Sequence, residues 1–439
     1  MSSCTTQKYY QPEIETMDRS RLEALQLMKL KDQVAYVYNH VEWYRSQMDE
    51  MGVVPSDIKT LADVRKLPFT DKTALRDTFP YGLFAVDLKD VVELHASSGT
   101  TGKPIVVGYN HHDMNIWSDC IARLAIMAGV HPGDRAQMAF GYGMFTGGFG
   151  LHYGLQKLGC MMIPAGAGNT ERHLQMISDY GTTVIVATPS YALHMCEVGE
   201  KQGFDWKHCS LRVGLFGGEP CPPKIKEEIE RRMHITCTDN YGLTEVMGPG
   251  VAGECLSSRD MQHIAEDHFL WEVVDPETGE PVPEGREGEL VLTPLDKQAI
   301  PVLRYRTHDL TYVTTEPYAC GRTHARMKKV RKRSDDMLII RATNVFPSQV
   351  EDILSGIAGV TPFYRIEVDN DSGLDRMKVF VELEPSAFSD SFEEMNAFRK
   401  HIAQKLKETM LVSSEVVLVE PGGIERTTGK TKHVIDRRK

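Results

Sequence analysis

The stretch Thr183–Phe216, TVIVATPSYALHMCEVGEKQGFDWKHCSLRVGLF, decides the fold class. It opens on an apolar run, Thr183 to Ala187, short enough for a strand and unbroken enough to be buried on both faces. A helical segment follows from Ser190 to Glu200, and a second strand, Arg212 to Phe216 (RVGLF), closes the unit. Strand, helix, strand in this order requires a crossover connection and pairs the two strands in parallel. The same rhythm continues outward. Strands are expected at Ala136 to Phe140, Cys160 to Pro164 and Ile235 to Thr238, and helices at Gly148 to Lys157 and Pro222 to Met233, the latter with Pro at a favoured starting position. The alternation reads as an α/β fold with a mostly parallel sheet. Ligands on such sheets gather in the loops beyond the carboxyl ends of the strands.

The flanks have a different texture. From Glu13 to Met48 the apolar residues Leu22, Leu25, Val34, Val37, Val41 and Tyr44 recur at helical spacing, which predicts helices packed on the body. Two strand-like runs between Asp90 and Asn110 flank a Gly/Thr/Ser loop. From about Gly279 the strands shorten and are separated by Gly/Pro turns. After Asp335 a compact set follows: strand 337–340, helix 347–357, strands 363–369 and 376–384, helix 391–410 and strand 415–419. That β-α-β-β-α-β order predicts a small ferredoxin-like α+β domain. The expected division is a large domain over 1–333 and a mobile one over 335–439, joined by a short hinge; the tail from Glu420 is polar, basic and Gly-containing.

Composition excludes several function classes. The 439 residues are 41% hydrophobic and 25% charged, a globular balance with ample core for more than one domain. A formal net charge of −11 argues against general nucleic-acid binding, where phosphate contacts supply most of the affinity. No apolar run approaches the roughly 20 residues of a membrane helix, and the polar start, Met1 to Gln11, lacks the apolar stretch of a secretory signal. Nine scattered cysteines fit a reducing cytoplasm better than a disulfide framework.

Five short motifs carry chemistry. Ser97-Ser98-Gly99-Thr100-Thr101-Gly102-Lys103-Pro104 combines three residue properties an anion needs: backbone N–H groups freed by glycine, hydroxyls and a lysine. It is not a Walker A loop, because only two residues separate its glycines and Pro104 leads into a strand. Tyr241-Gly242-Leu243-Thr244-Glu245, just past an expected strand, offers a ring for a base, a hydroxyl for a phosphate and a carboxylate for Mg²⁺, or is a plain β–α loop. In Arg304-Tyr305-Arg306-Thr307-His308-Asp309 the carboxylate could accept from ribose hydroxyls or form an ion pair. Arg333-Ser334-Asp335-Asp336 marks the domain junction; the basic run before it, Lys328 to Arg333, fits a solvated face better than a nucleic-acid patch. Thr427-Thr428-Gly429-Lys430 places a lysine on a Gly-containing tail loop.

In order and spacing these five resemble the core motifs of the adenylate-forming superfamily, over nearly the whole chain. The segments Tyr142 to Gly150 (YGMFTGGFG), Tyr241 to Val251 (YGLTEVMGPGV) and Asp335 to Pro347 (DDMLIIRATNVFP) are similar to its phenylacetate–CoA ligase branch. The resemblance implies a large adenylation domain, a small rotating C-terminal domain, and two half-reactions: a carboxylate attacks the α-phosphate of ATP·Mg²⁺, then the thiol of coenzyme A attacks the acyl-adenylate. It further implies that 97–103 holds the β- and γ-phosphates and that Thr244 meets the α-phosphate. Glu245 would ligate Mg²⁺. Asn240, Tyr241 and Gly242 would face adenine across from Gly217-Gly218-Glu219-Pro220, and Asp309, with Arg333 nearby, would bind the ribose. Lys430 would enter for adenylation, Asp335 would be the hinge, and Phe140, Gly141, Tyr142 and Phe216 would line a flat aryl-acid pocket. Two positions depart from the pattern: Ala342 stands where Gly is usual, and Lys332 precedes the junction Arg where Gly is usual.

Some relatives carry a Cys, a His about eight residues on, and Cys-x-Cys before Gly-Arg-Thr. Cys255, His263 and Cys320 match, while Tyr318 replaces the remaining Cys, so a structural Zn²⁺ is either completed by another group (His308, His324 or a carboxylate) or absent. The partners implied are an aryl acid, ATP, coenzyme A and a second copy in a homodimer, with neither nucleic acid nor membrane. The acid stays open among phenylacetate, hydroxylated or indolic analogues and benzoate-like acids. Two other functions stand beside this one: adenylation with delivery to a carrier-protein thiol or a cofactor, and non-catalytic nucleotide binding.

Overall fold

The computed structural model describes residues 8–97, 104–334, 338–340, 343–371, 374–389, 391–410, 412–426 and 433–438. Its centre is a nine-stranded mixed sheet. Met161–Ile163, Arg135–Met138, Val184–Ala187, Val213–Phe216 and Thr236–Leu243 lie side by side in parallel. Gly248–Cys255, Ser258–Ile264, Arg326–Lys328 and Val313–Thr314 then extend the sheet antiparallel.

The unbroken apolar run at 184–187 has a direct cause in this sheet. Val184 and Val186 face one core, packed with Leu124, Leu151 and Leu155. Ile185 and Ala187 face a second core, with Leu174, Tyr191 and Ile229. Alternate side chains are thus apolar on both faces because helices cover both. The crossover helix Pro189–Lys201 starts where Thr188 Oγ1 accepts the N–H of Tyr191 at 3.3 Å, with Pro189 in the first turn. On the other face, the helices His111–Met127 and Thr146–Leu158 pack so closely that a Cβ on Gly150 would lie 2.1 Å from Trp117, so only glycine permits the contact.

One expectation is corrected here. The Tyr241 motif does not follow its strand into a helix. The strand continues from Thr236 to Leu243 and doubles back antiparallel onto Gly248–Cys255. The tight return needs Gly242, where a Cβ would sit 1.9 Å from the carbonyl oxygen of Gly248.

A second, four-stranded sheet carries Phe269–Val274, Gly288–Pro294, Tyr305–Thr311 and Lys332–Arg333, all antiparallel. Past it, residues 338–416 build a third core of their own, including Ile340, Val350, Val379 and Leu406. Its sheet pairs Val360–Asp371 with Leu374–Leu383 antiparallel and adds Glu415–Val419 in parallel, with helices Pro347–Ser355 and Phe392–Met410 alongside. The strand expected at 337–340 is not part of this sheet; its fourth strand is Val434–Asp436 from the tail, parallel to Val360–Asp371. Leu338–Ile340 instead forms a hairpin with Thr343–Val345. No described helix is long and apolar enough to cross a membrane.

Candidate active site

The site is assembled at the carboxyl ends of the parallel strands. The strand ending at Phe216 releases Gly217, and the neighbouring strand carries Asn240, whose Nδ2 donates to the Phe216 carbonyl at 2.6 Å. A Cβ on Gly217 would come within 2.8 Å of that amide, so the two segments meet backbone to side chain. Glu219, two residues on, accepts the N–H of Ser190 at 2.7 Å and fixes the loop against the start of the helix Pro189–Lys201.

The Tyr241 hydroxyl donates to Oδ2 of Asp309, and Arg333 Nη1 donates to Oδ1 at 2.6 Å. Burial, and then the charge of Asp309, pushes the Tyr241 phenol well above its ordinary value, so it stays a donor at neutral pH. Three separate sequence motifs therefore converge on one carboxylate, which Arg333 reaches through the pairing of Lys332–Arg333 with Tyr305–Thr311.

Thr244 is buried and its Oγ1 lies 3.0 Å from Oγ1 of Thr146, at the start of the helix Thr146–Leu158. Beside it Glu245 is buried within electrostatic reach of Lys297, a wholly buried lysine. Lys297 Nζ donates to the carbonyl of Val246 at 3.1 Å and lies 4.6 Å from the centre of the Tyr109 ring. Burial pushes its ammonium down to about 8. The phosphate-type loop springs from the hairpin of Glu93–Ser97 with Ile105–Tyr109, where Ser97 stands opposite Ile105. Ser98, Gly99, Thr100, Thr101, Gly102 and Lys103 lie outside the described residues, as do Asp335 and the segment 427–430 with Lys430.

Among the residues expected to line an acid pocket, Phe140 is buried in the first core and Tyr142 packs against it. The ring of Phe140 is 3.7 Å from where a Cβ on Gly218 would stand. Tyr142 is half-buried, edge-on to Phe149 with ring centres 5.2 Å apart, and its hydroxyl meets Nδ1 of His152 at 2.9 Å. Gly141 is backbone for this wall, its carbonyl within 2.6 Å of a Cβ placed on Gly148. Phe216 is different: its side chain is wholly enclosed in the second core, so packing accounts for the ring and only the carbonyl faces the loop. Sequence reasoning missed Thr146, His152 and Lys297. Thr146 was within a quoted motif; a lone His and a lone Lys gave no signal until burial and partners were visible.

Cys255, His263 and Cys320 do come together, all buried, with one ligand atom of each within 4.8 Å of the others. His263 Nε2 is 3.5 Å from the Cys255 sulfur and 3.4 Å from the Cys320 sulfur. The hydrogen bond from Cys255, and then against burial the one from His263, pulls the Cys320 thiol below its ordinary value. Of the suggested fourth groups, His308 Nδ1 contacts Ser334 at 3.2 Å, and His324 Nδ1 donates to the Ile264 carbonyl at 3.1 Å while its Nε2 is buried without a hydrogen-bond partner. The Tyr318 hydroxyl donates to the carbonyl of Ser257 at 2.9 Å.

Comparison with known proteins agrees with this geometry. The AMP-binding enzyme family model matches residues 34–293, and the AMP-binding enzyme C-terminal domain model matches 342–438. A phenylacetate–coenzyme A ligase of Thermus thermophilus is 45% identical over 98% of this chain and 100% of its own length. One from Escherichia coli is 45% identical over 97% of each chain. This chain belongs to the phenylacetate–coenzyme A ligase family of AMP-binding enzymes. It is an ATP-dependent, AMP-forming acid–coenzyme A ligase.

A 2-hydroxyisobutyryl-CoA ligase solved in the postadenylation state with 2-HIB-AMP superposes with a TM-score of 0.92 at 28% identity, covering 99% of this chain and 93% of that one. The same ligase in the thioesterification state, with 2-HIB-AMP and CoA, reaches only 0.73 at 29% identity over equal coverage.

Proposed function

We propose that this ligase activates phenylacetate or a close aryl analogue, and that the arrangement described is its adenylation arrangement. The observation that carries the substrate reading is the contact of Phe140 with Gly218. It puts the Phe140 ring beside the Gly217–Pro220 segment that would flank the adenine, and in this reading the Tyr142–Phe149 pair completes an aromatic wall for the acid. An aryl acid held by that wall would present its carboxylate to the α-phosphate. In-line attack at phosphorus gains chiefly from positioning and charge stabilisation.

In this reading Tyr241 and Asn240 face the adenine opposite Gly217, Gly218, Glu219 and Pro220. Asp309 accepts from the ribose while Tyr241 and Arg333 hold its orientation. Thr244, oriented by Thr146, meets the α-phosphate, and the loop 97–103 holds the departing pyrophosphate. Glu245 supplies a buried carboxylate for the Mg²⁺ of the nucleotide. Lys430 bridges carboxylate and α-phosphate, and the small domain, 335–439, turns about Asp335 before coenzyme A attacks. The higher similarity to the postadenylation structure supports the orientation assigned here.

We also assign Cys255, His263 and Cys320 to one Zn²⁺. Their S···N separations of 3.4 and 3.5 Å fit the edge of a zinc tetrahedron, about 3.6 Å for bonds near 2.3 and 2.1 Å. Water is the fourth ligand in this reading. The eight cysteines among the described residues are all free, which supports a cytoplasmic setting. The assembly is taken as a homodimer, which sedimentation velocity checks. The test of substrate is ATP–pyrophosphate exchange over a panel of aryl acids: phenylacetate and close analogues should drive exchange, and a preference for aliphatic acids would overturn the reading.

A further inference from the structure

Arg426 is the last described residue before the segment that carries Lys430, and it is held from several sides. Its guanidinium makes a forked pair with Glu382 at 2.7 and 2.8 Å. It donates to the Ile424 carbonyl at 2.8 Å and lies 3.3 Å from the centre of the Phe363 ring. Glu382 itself is 2% exposed, so this end of the fork is rigid. All of these partners belong to the small domain.

One more partner does not. Arg426 Nη2 lies 3.5 Å from Oε1 of Glu197, on the helix Pro189–Lys201 of the large domain. Phe363, beneath the guanidinium, also packs against the second core of the large domain. Ser190, on that same helix, lines a crevice with Phe363, Tyr364, Arg426 and His433. The guanidinium is therefore a joint between domains, pre-organised on one side by Glu382 and closed on the other by Glu197.

We propose that Arg426 is a positioning residue for Lys430, and that Glu197 is its large-domain anchor in the adenylation half-reaction only. This rests on the reading of Lys430 given above. Four residues of chain span at most about 14 Å, so the place where Arg426 is pinned limits where Lys430 can go. An exposed ion pair alone would contribute little. Here the arginine has already lost its rotamer freedom to Glu382 and Phe363, so the added contact orients rather than gathers. This chain superposes on the 2-hydroxyisobutyryl-CoA ligase with a TM-score of 0.92 in its postadenylation state and 0.73 in its thioesterification state, and in the reading above the small domain turns between the two half-reactions. Such a turn carries Arg426 off Glu197 and leaves Glu382 with it.

The test measures both half-reactions on the same full-length preparations of wild type, Glu197→Gln and Arg426→Ala. Phenylacetate-dependent ATP–pyrophosphate exchange should fall roughly tenfold or more in each variant, in kcat rather than in KM for ATP. Thioester formation from supplied phenylacetyl-AMP and coenzyme A should stay within about twofold of wild type, which also shows that the variants fold. Arg426→Lys should recover part of the exchange. Equal loss in both half-reactions, or no loss in either, with an active wild type would overturn this inference alone. A wild type without acid-dependent exchange would overturn the Lys430 reading and this inference with it.

Discussion

Tyr241 and Asp309, 68 positions apart in the chain, are joined by a short hydrogen bond from the phenol to the carboxylate. With Arg333 on the other oxygen at 2.6 Å, both carboxylate oxygens are held by protein donors, the arrangement on which the proposed ribose contact rests. Asp309→Asn removes the charge that Arg333 pairs with and half of the acceptor capacity. A charge-assisted hydrogen bond contributes about 1.5–3 kcal/mol, so KM for ATP should rise roughly tenfold to a hundredfold. Tyr241→Phe, which keeps the ring, should cost less. Steady-state kinetics at saturating acid checks both; unchanged KM in Asp309→Asn would show that this carboxylate is purely structural.

Lys430→Ala should cripple acyl-adenylate formation and spare thioester formation from supplied acyl-AMP. A lysine on a tail loop, far in sequence from the phosphate loop, is suited to enter for one half-reaction only. Single-turnover measurements of the two steps separate this from a static binding role, in which both would fall together.

Asp239, next to Asn240 in the strand Thr236–Leu243, sits in a buried cluster. Its N–H donates to Glu254 at 2.6 Å, and Glu254 also pairs with Lys226 at 2.6 Å and Lys329 at 2.5 Å. Burial pushes the Asp239 carboxyl up to about 7. Between the ordinary value of about 4 and about 7, the folded chain holds a proton that the unfolded chain has lost. Its contribution is therefore fully present below about pH 4 and is lost as pH rises, by at most about 1.4 kcal/mol per pH unit. Asp239→Asn cannot ionise, so its melting temperature relative to wild type should climb by a few degrees between about pH 5 and about pH 8. A flat difference would mean that Asp239 is ionised in the fold throughout.

For the metal, protein prepared without chelator should contain zinc near one equivalent per chain, falling in Cys255→Ser and Cys320→Ser with a lower melting temperature and unchanged chemistry. Partial occupancy is compatible with Tyr318 standing where a thiolate is usual. Zinc below about a tenth of an equivalent, with no change in either variant, would make the trio a hydrogen-bonded cluster only.

Much of this was legible in the sequence because local pattern and burial agreed. The run at 184–187 is apolar at every position since both faces are covered, and Pro189 and Thr188 mark the helix start that follows. The turn at Gly242 was not legible: a strand that doubles back and one that enters a helix both break at glycine, and only the 1.9 Å approach to Gly248 distinguishes them. The tail strand Val434–Asp436 was hidden because its three residues are only half-buried at a sheet edge and carry little apolar signal. At the site, Asp309 and Tyr241 were found as motif members, but their pairing depends on strands distant in sequence. Phe216 was misjudged as a pocket residue because sequence gives an aromatic ring no direction; alternation along Val213–Phe216 sends it into the second core.

The central claim is that this ligase couples an aryl acid to coenzyme A through an acyl-adenylate. The most direct measurement incubates the protein with ATP, Mg²⁺, phenylacetate and coenzyme A and quantifies the products by mass. The account predicts phenylacetyl-CoA and AMP in equal amounts, with phenylacetyl-AMP accumulating on the enzyme when coenzyme A is withheld. ADP in place of AMP, or thioester formed with no adenylate detectable in the absence of coenzyme A, would contradict it.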